Sequence, residues 1–78
     1  MQGKELKAIR HELGLSAVEL GRALGYAGTD NSASVTIRRY EAKTNPRPIP
    51  PLVGRLAICF QLLYEKLGIL PEDIDFSL

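Results

Sequence analysis

Apolar residues recur every three or four positions along most of this chain, the spacing of one helix face, and the breaks in that rhythm divide it into four helices. Leu6, Ile9 and Leu13 share one side of a first helix over about residues 3–13, with Lys4, Glu5, Lys7 and Glu12 on the other. Gly14 stands where a helix C-terminus favours positive φ. Ser16-Ala17-Val18-Glu19 is a capping box flanked by Leu15 and Leu20 as a hydrophobic staple, and it starts a second helix from Ala17 to Leu24. Gly25 stops that helix, and residues 25–32 are turn-forming. A third helix begins between Asp30 and Ser34, with Asp30, Asn31 or Ser32 as its cap. It turns Ala33, Ile37 and Tyr40 inward and ends near Lys43.

Residues 44–51 hold four prolines and form a stiff, non-helical connector. Pro50 or Pro51 suits the first turn of a fourth helix, which runs to about Leu67. Leu56, Phe60, Leu63 and Leu67 are its expected core stripe. Ile58, Cys59 and Leu62 lie off that stripe and are apolar too, so the helix needs burial on a second side. The tail from Leu70 supplies Ile74, Phe76 and Leu78, whose alternation suits an extended segment. Residues 1–67 read as one domain and 68–78 as a tail that serves dimerisation or binds a partner.

With 78 residues the chain has room for one core, and a domain of that size gains much from a partner chain. One cysteine, Cys59, excludes an internal disulfide, and one histidine, His11, leaves no zinc set. His11 and Cys59 are expected as a surface residue and a small buried hydrophobe, and Tyr26, Tyr40 and Tyr64 as packing residues. No apolar run follows the first residues, so neither a signal peptide nor a membrane span is expected, and the cytoplasm is the expected compartment. Charge is unevenly spread. Residues 31–64 carry Arg38, Arg39, Lys43, Arg47 and Arg55 against Glu41 alone, whereas residues 65–78 carry Lys66 against Glu65, Glu72, Asp73 and Asp75. A basic middle is the footprint of a polyanion-binding surface, although a solvated charged face has the same composition.

Four short helices, the second well capped and the third basic, outline a helix-turn-helix domain. The residues also carry a family likeness in Leu6-Lys7-Ala8-Ile9-Arg10-His11-Glu12-Leu13-Gly14-Leu15-Ser16, Glu19-Leu20-Gly21-Arg22-Ala23-Leu24-Gly25, Thr36-Ile37-Arg38-Arg39-Tyr40-Glu41 and Arg47-Pro48-Ile49-Pro50-Pro51. Over about residues 4–63 the chain resembles the XRE family of phage-repressor or Cro-type DNA-binding domains. The resemblance implies an all-α fold, a four- to five-helix phage-repressor-like helix-turn-helix domain with a short C-terminal extension. It further implies a structural salt bridge between Arg10 and Glu41.

The family's base-facing positions, counted back from Glu41, fall on Ser34, Val35 and Arg39. Helical geometry adds Arg38, since inward Ala33, Ile37 and Tyr40 leave residues 34, 35, 38 and 39 outward. Arg38 and Arg39 can each present a fork to guanine, and Val35 can meet a thymine methyl. Ser34 and Thr36 suit a base edge or a phosphate. Lys43 and Arg47 match positions that approach the DNA backbone or the minor groove. Two departures stand out. The stretch from Gly25 to Thr36 is longer than the family's turn by about six residues, so either the turn is elongated or the third helix gains an N-terminal turn that brings Asn31 and Ser32 to the groove. Ala17 replaces a polar residue that touches phosphate, leaving backbone N–H groups for that contact.

Two functions follow as expectations. The first is a transcriptional regulator, read as a repressor, that binds a palindromic operator in double-stranded DNA as a homodimer. Ile58, Cys59, Leu62, Ile74 and Phe76 would form its dimer interface. The second is an antitoxin or other protein-interaction module on the same fold, its partner held by the fourth helix and the acidic tail. An enzyme is not expected, because no nucleophile–base pair, phosphate-cradling loop or metal set is present. Neither a cofactor nor a small-molecule ligand is implied.

Overall fold

The computed structural model describes residues 1–75, and among these the chain is all-α. Helix α1 spans Gly3–Glu12, α2 Ala17–Ala23, α3 Asp30–Glu41 and α4 Pro51–Leu67, followed by a 3-10 turn at Pro71–Asp73. Each α-helix places one large side chain wholly inside: Leu6, Leu20, Ile37 and Phe60. Burial of each contributes about 1.5–3 kcal/mol, so all four helices depend on one shared core.

Local chemistry sets the helix ends. Gly14 has φ 69° after α1. At α2 the Glu19 N–H donates to Ser16 Oγ at 3.1 Å and the Ser16 N–H to Glu19 Oε1 at 2.9 Å. Those bonds to Ser16 hold the Glu19 carboxyl below its usual pKa. Leu15 and Leu20 are both buried beside this cap. α3 is capped by Thr29 rather than by Asp30, Asn31 or Ser32, because Thr29 Oγ1 accepts the Ser32 N–H at 3.1 Å. It ends at Glu41 rather than Lys43, since Ala42 is already extended.

α3 packs chiefly on α2, and α1 contacts both α3 and α4. The α2–α3 approach requires Gly21. A Cβ there would lie 2.9 Å from the Ala33 carbonyl oxygen and 3.0 Å from the Ala33 Cβ.

α1 and α4 run in the same direction: Met1 borders Gly54, and Gln61 Nε2 donates to Glu12 Oε1 at 3.4 Å. A hydrogen bond with Glu12 also raises the Glu65 carboxyl above its usual pKa. α1 therefore ends beside Gln61 and Glu65, and the last turn of α4 outruns it. This corrects the expected core stripe. Gly54, Ala57 and Phe60 are buried, Leu56 and Leu63 are half-buried, and Leu67 is 68% exposed. Tyr64, expected to pack, is exposed as well.

Beyond α4 the chain folds back as a turn instead of running out extended. Pro71 is buried, and Leu70 and Ile74 pack against the core. Ile74, expected in a dimer interface, is thus committed to its own chain. Phe76 and Leu78 lie outside the described residues. No helix among the described residues is long and apolar enough to cross a membrane.

Candidate nucleic-acid interface

Arginines from two other helices hold α3 at its ends. At its start, Arg22 of α2 donates Nη2 to Asp30 Oδ1 at 2.8 Å and to the Gly28 carbonyl at 2.7 Å, and Nη1 to the Tyr26 carbonyl at 3.2 Å. At its end, Arg10 of α1 meets Glu41 through Nε–Oε2 and Nη2–Oε1, both 2.9 Å, and donates Nη1 to the Leu15 carbonyl at 3.1 Å. The hydrogen bond to the Glu41 carboxylate raises the Arg10 pKa, against the opposing effect of burial. Between these anchors, the Tyr26 and Tyr40 hydroxyls meet at 2.6 Å with their rings tilted, 6.4 Å between centroids. Burial, then the bond to Tyr40, pushes the Tyr26 phenol up to about 12.

These contacts decide the charge of the outer face. Asp30 and Glu41 are the carboxylates of α3, and each is neutralised by an arginine from another helix. Arg38 and Arg39 are exposed, and neither forms an ion pair among the described residues. The side of α3 turned from the core carries Asn31, Val35 and Arg38 at i, i+4 and i+7, flanked by Ser32 and Arg39. Asn31, Ser32 and both arginines are exposed, and Val35 is half-buried.

Ser34 does not belong to this face. It is 4% exposed, and its hydroxyl donates to the Asn31 carbonyl at 3.2 Å. It lies one residue after Ala33 and three before Ile37, inside the arc that the core covers. Thr36 is half-buried, and its hydroxyl donates to the Ser32 carbonyl at 3.0 Å. The long stretch before Thr36 resolves as a loop through Thr29 and an early start of α3, which places Asn31 and Ser32 on the exposed first turn. Ser32 meets the Thr29 hydroxyl with its own at 3.0 Å.

Lys43 and Arg47 are exposed in the connector. The Arg47 N–H donates to the Arg39 carbonyl at 2.9 Å, which draws the connector back against the end of α3. Ala17 is half-buried with its side chain against the core. At the start of α2 the capping box already uses the amides of Ser16 and Glu19, and the Ala17 N–H falls among the first-turn donors that have no acceptor within the helix.

On α4, Ile58 (44%), Leu62 (47%) and Leu67 are exposed, and so is Cys59, contrary to its expected burial. Cys59, Leu62, Leu63, Lys66 and Leu67 line a shallow, almost wholly apolar depression.

Sequence reasoning missed Arg22, Thr29 and the Tyr26–Tyr40 contact. Arg22 and Asp30 flank a glycine-containing turn as opposite charges, which is a weak hint. Its bonds to two loop carbonyls depend on the path of the loop and leave no trace in residue spacing. Set against family models, curated proteins and solved structures, the chain finds no match.

Proposed function

We propose that this chain is a helix-turn-helix protein of the phage-repressor type that binds duplex DNA and regulates transcription, with α3 as the helix that enters the major groove. The observation that carries the reading is the charge of α3: both of its carboxylates are held by Arg10 and Arg22, while Arg38 and Arg39 stand exposed and unpaired among the described residues. A helix with two exposed guanidinium forks suits guanine O6 and N7, and one good fork contributes about 1–3 kcal/mol of discrimination. Asn31 suits adenine by the same geometry, and Val35 a thymine methyl. Two copies joined through the exposed face of α4 would set two α3 helices about 34 Å apart, one turn of DNA, on a palindromic operator. Repression of its own promoter is the simplest mode for a chain whose described residues form a single core.

The test is binding to duplex fragments, including the region upstream of its own gene, at two salt concentrations. The wild-type protein should select one palindrome and weaken steeply with salt. Arg38→Ala with Arg39→Ala should remove the selection. Equal binding to every duplex by the wild type and the double variant would end this reading.

The exposed apolar residues of α4 favour a second reading, a module that docks another protein. Under it, the double arginine variant would keep full activity in the cell while charge placed at Leu62 abolished it.

A further inference from the structure

The chain returns from α3 along a cleft of about 530 Å³ that opens between the start of α1 and the connector. Its walls bring together three cations from two separate stretches of sequence: Lys4 at the start of α1, and Lys43 and Arg47 in the connector. All three are exposed, and none forms an ion pair among the described residues. Glu41, the carboxylate on these walls, is 7% exposed and occupied by Arg10, so it does not offset them. The cleft adjoins the end of α3, because Arg47 is tied by its N–H to the Arg39 carbonyl.

We propose that this cleft seats a phosphate of the DNA backbone, with Lys4 as a contact residue beside Lys43 and Arg47. The inference rests on the DNA-binding reading above and adds α1 to its footprint. Three exposed cations on the walls of one open cleft, with the cleft's carboxylate already occupied, make it a place that attracts an anion. A duplex whose major groove receives α3 must pass a phosphate strand across one end of that helix. Such contacts set the register of the protein on the duplex and carry no sequence information.

The test uses the full chain with a fluorescent duplex carrying the preferred site and an unrelated duplex of equal length, each titrated at several salt concentrations. Lys7, also exposed on α1 but absent from the cleft walls, provides the control. Lys4→Gln should weaken binding to both duplexes by the same factor and reduce the slope of log K against log salt by about one. Lys7→Gln should leave that slope unchanged. An unaltered slope in Lys4→Gln, or an equal loss in Lys7→Gln, overturns the cleft while leaving the role of α3 intact. Absence of duplex binding by the wild type overturns both. Thermal melting of each variant separates loss of contact from loss of fold.

Discussion

Arg10 and Glu41 stand 31 positions apart and join as a two-pronged pair, Nε to Oε2 and Nη2 to Oε1, each at 2.9 Å. The side chains are 14% and 7% exposed, so the bonds form largely out of water. The third donor of the same guanidinium reaches the Leu15 carbonyl, so one residue links α1, the corner before α2, and the end of α3. A planar fork is suited to this, where a lysine would hold one contact.

Removing either partner leaves a charge with no counterpart in a half-buried site. Arg10→Ala should destabilise the fold by about 3 kcal/mol in urea unfolding. The pair Arg10→Met with Glu41→Leu should recover much of that loss, because an apolar pair carries no desolvation cost. A loss below about 0.5 kcal/mol in Arg10→Ala would show that the pair is no more than a surface contact.

Gly21 lets the backbones of α2 and α3 touch. Gly21→Ala places a Cβ 2.9 Å from the Ala33 carbonyl oxygen, an atom that cannot swing aside. Overpacking should cost about 1–3 kcal/mol and outweigh the gain in helix propensity of about 1 kcal/mol. The expected readout is a lower Tm, with chemical-shift changes concentrated along α3. A raised Tm would mean that the two helices separate freely.

The Tyr26 phenol, pushed up to about 12, links stability to alkaline pH. Its folded pKa exceeds the unfolded value near 10, so its contribution is complete below about pH 10 and is lost as pH rises towards about 12. Tyr26→Phe should flatten the stability profile across that window. Absorbance at 295 nm should show one phenol in the wild type titrating late, and its disappearance in the variant.

Arg22 straps the loop to the first turn of α3 through two carbonyls and Asp30. It is exposed, so Arg22→Ala should cost only about 1 kcal/mol. The larger effect should be local: faster amide exchange over residues 26–32, without faster exchange at Leu6 or Phe60. Uniform acceleration across the chain would contradict a local strap.

The apolar side of α4 is expected to bury against a second copy. Leu62 is 47% exposed, so Leu62→Glu should leave the monomer folded. Sedimentation equilibrium should show a dimer in the wild type and a monomer in the variant. A wild-type monomer at high micromolar concentration would remove the two-fold arrangement on DNA.

Much of this architecture was legible because it is local. Ser16 and Glu19 cap α2 within four residues, and Gly14 ends α1 by its own backbone freedom. Ala33, Ile37 and Tyr40 mark the inner side of α3 by spacing alone, and all three are buried. Ser34 was not legible, because a small hydroxyl can satisfy itself on the carbonyl three residues back and go inside. The choice of Thr29 over its three neighbours was equally closed to inspection, since all four can cap a helix.

Residue spacing and short-range hydrogen bonding therefore determined the number of helices, most of their ends, and the inward rows of α1 and α3. Tertiary structure alone decided which side of α4 is covered, where Ile74 packs, and that both carboxylates of α3 are neutralised. The reason is physical. A helix apolar nearly all round has no preferred face until another helix lies on it, and an arginine's partners depend on distances between segments far apart in the chain. The exposed arginines of α3 were visible in the sequence, but their lack of competing carboxylates was a property of the folded molecule.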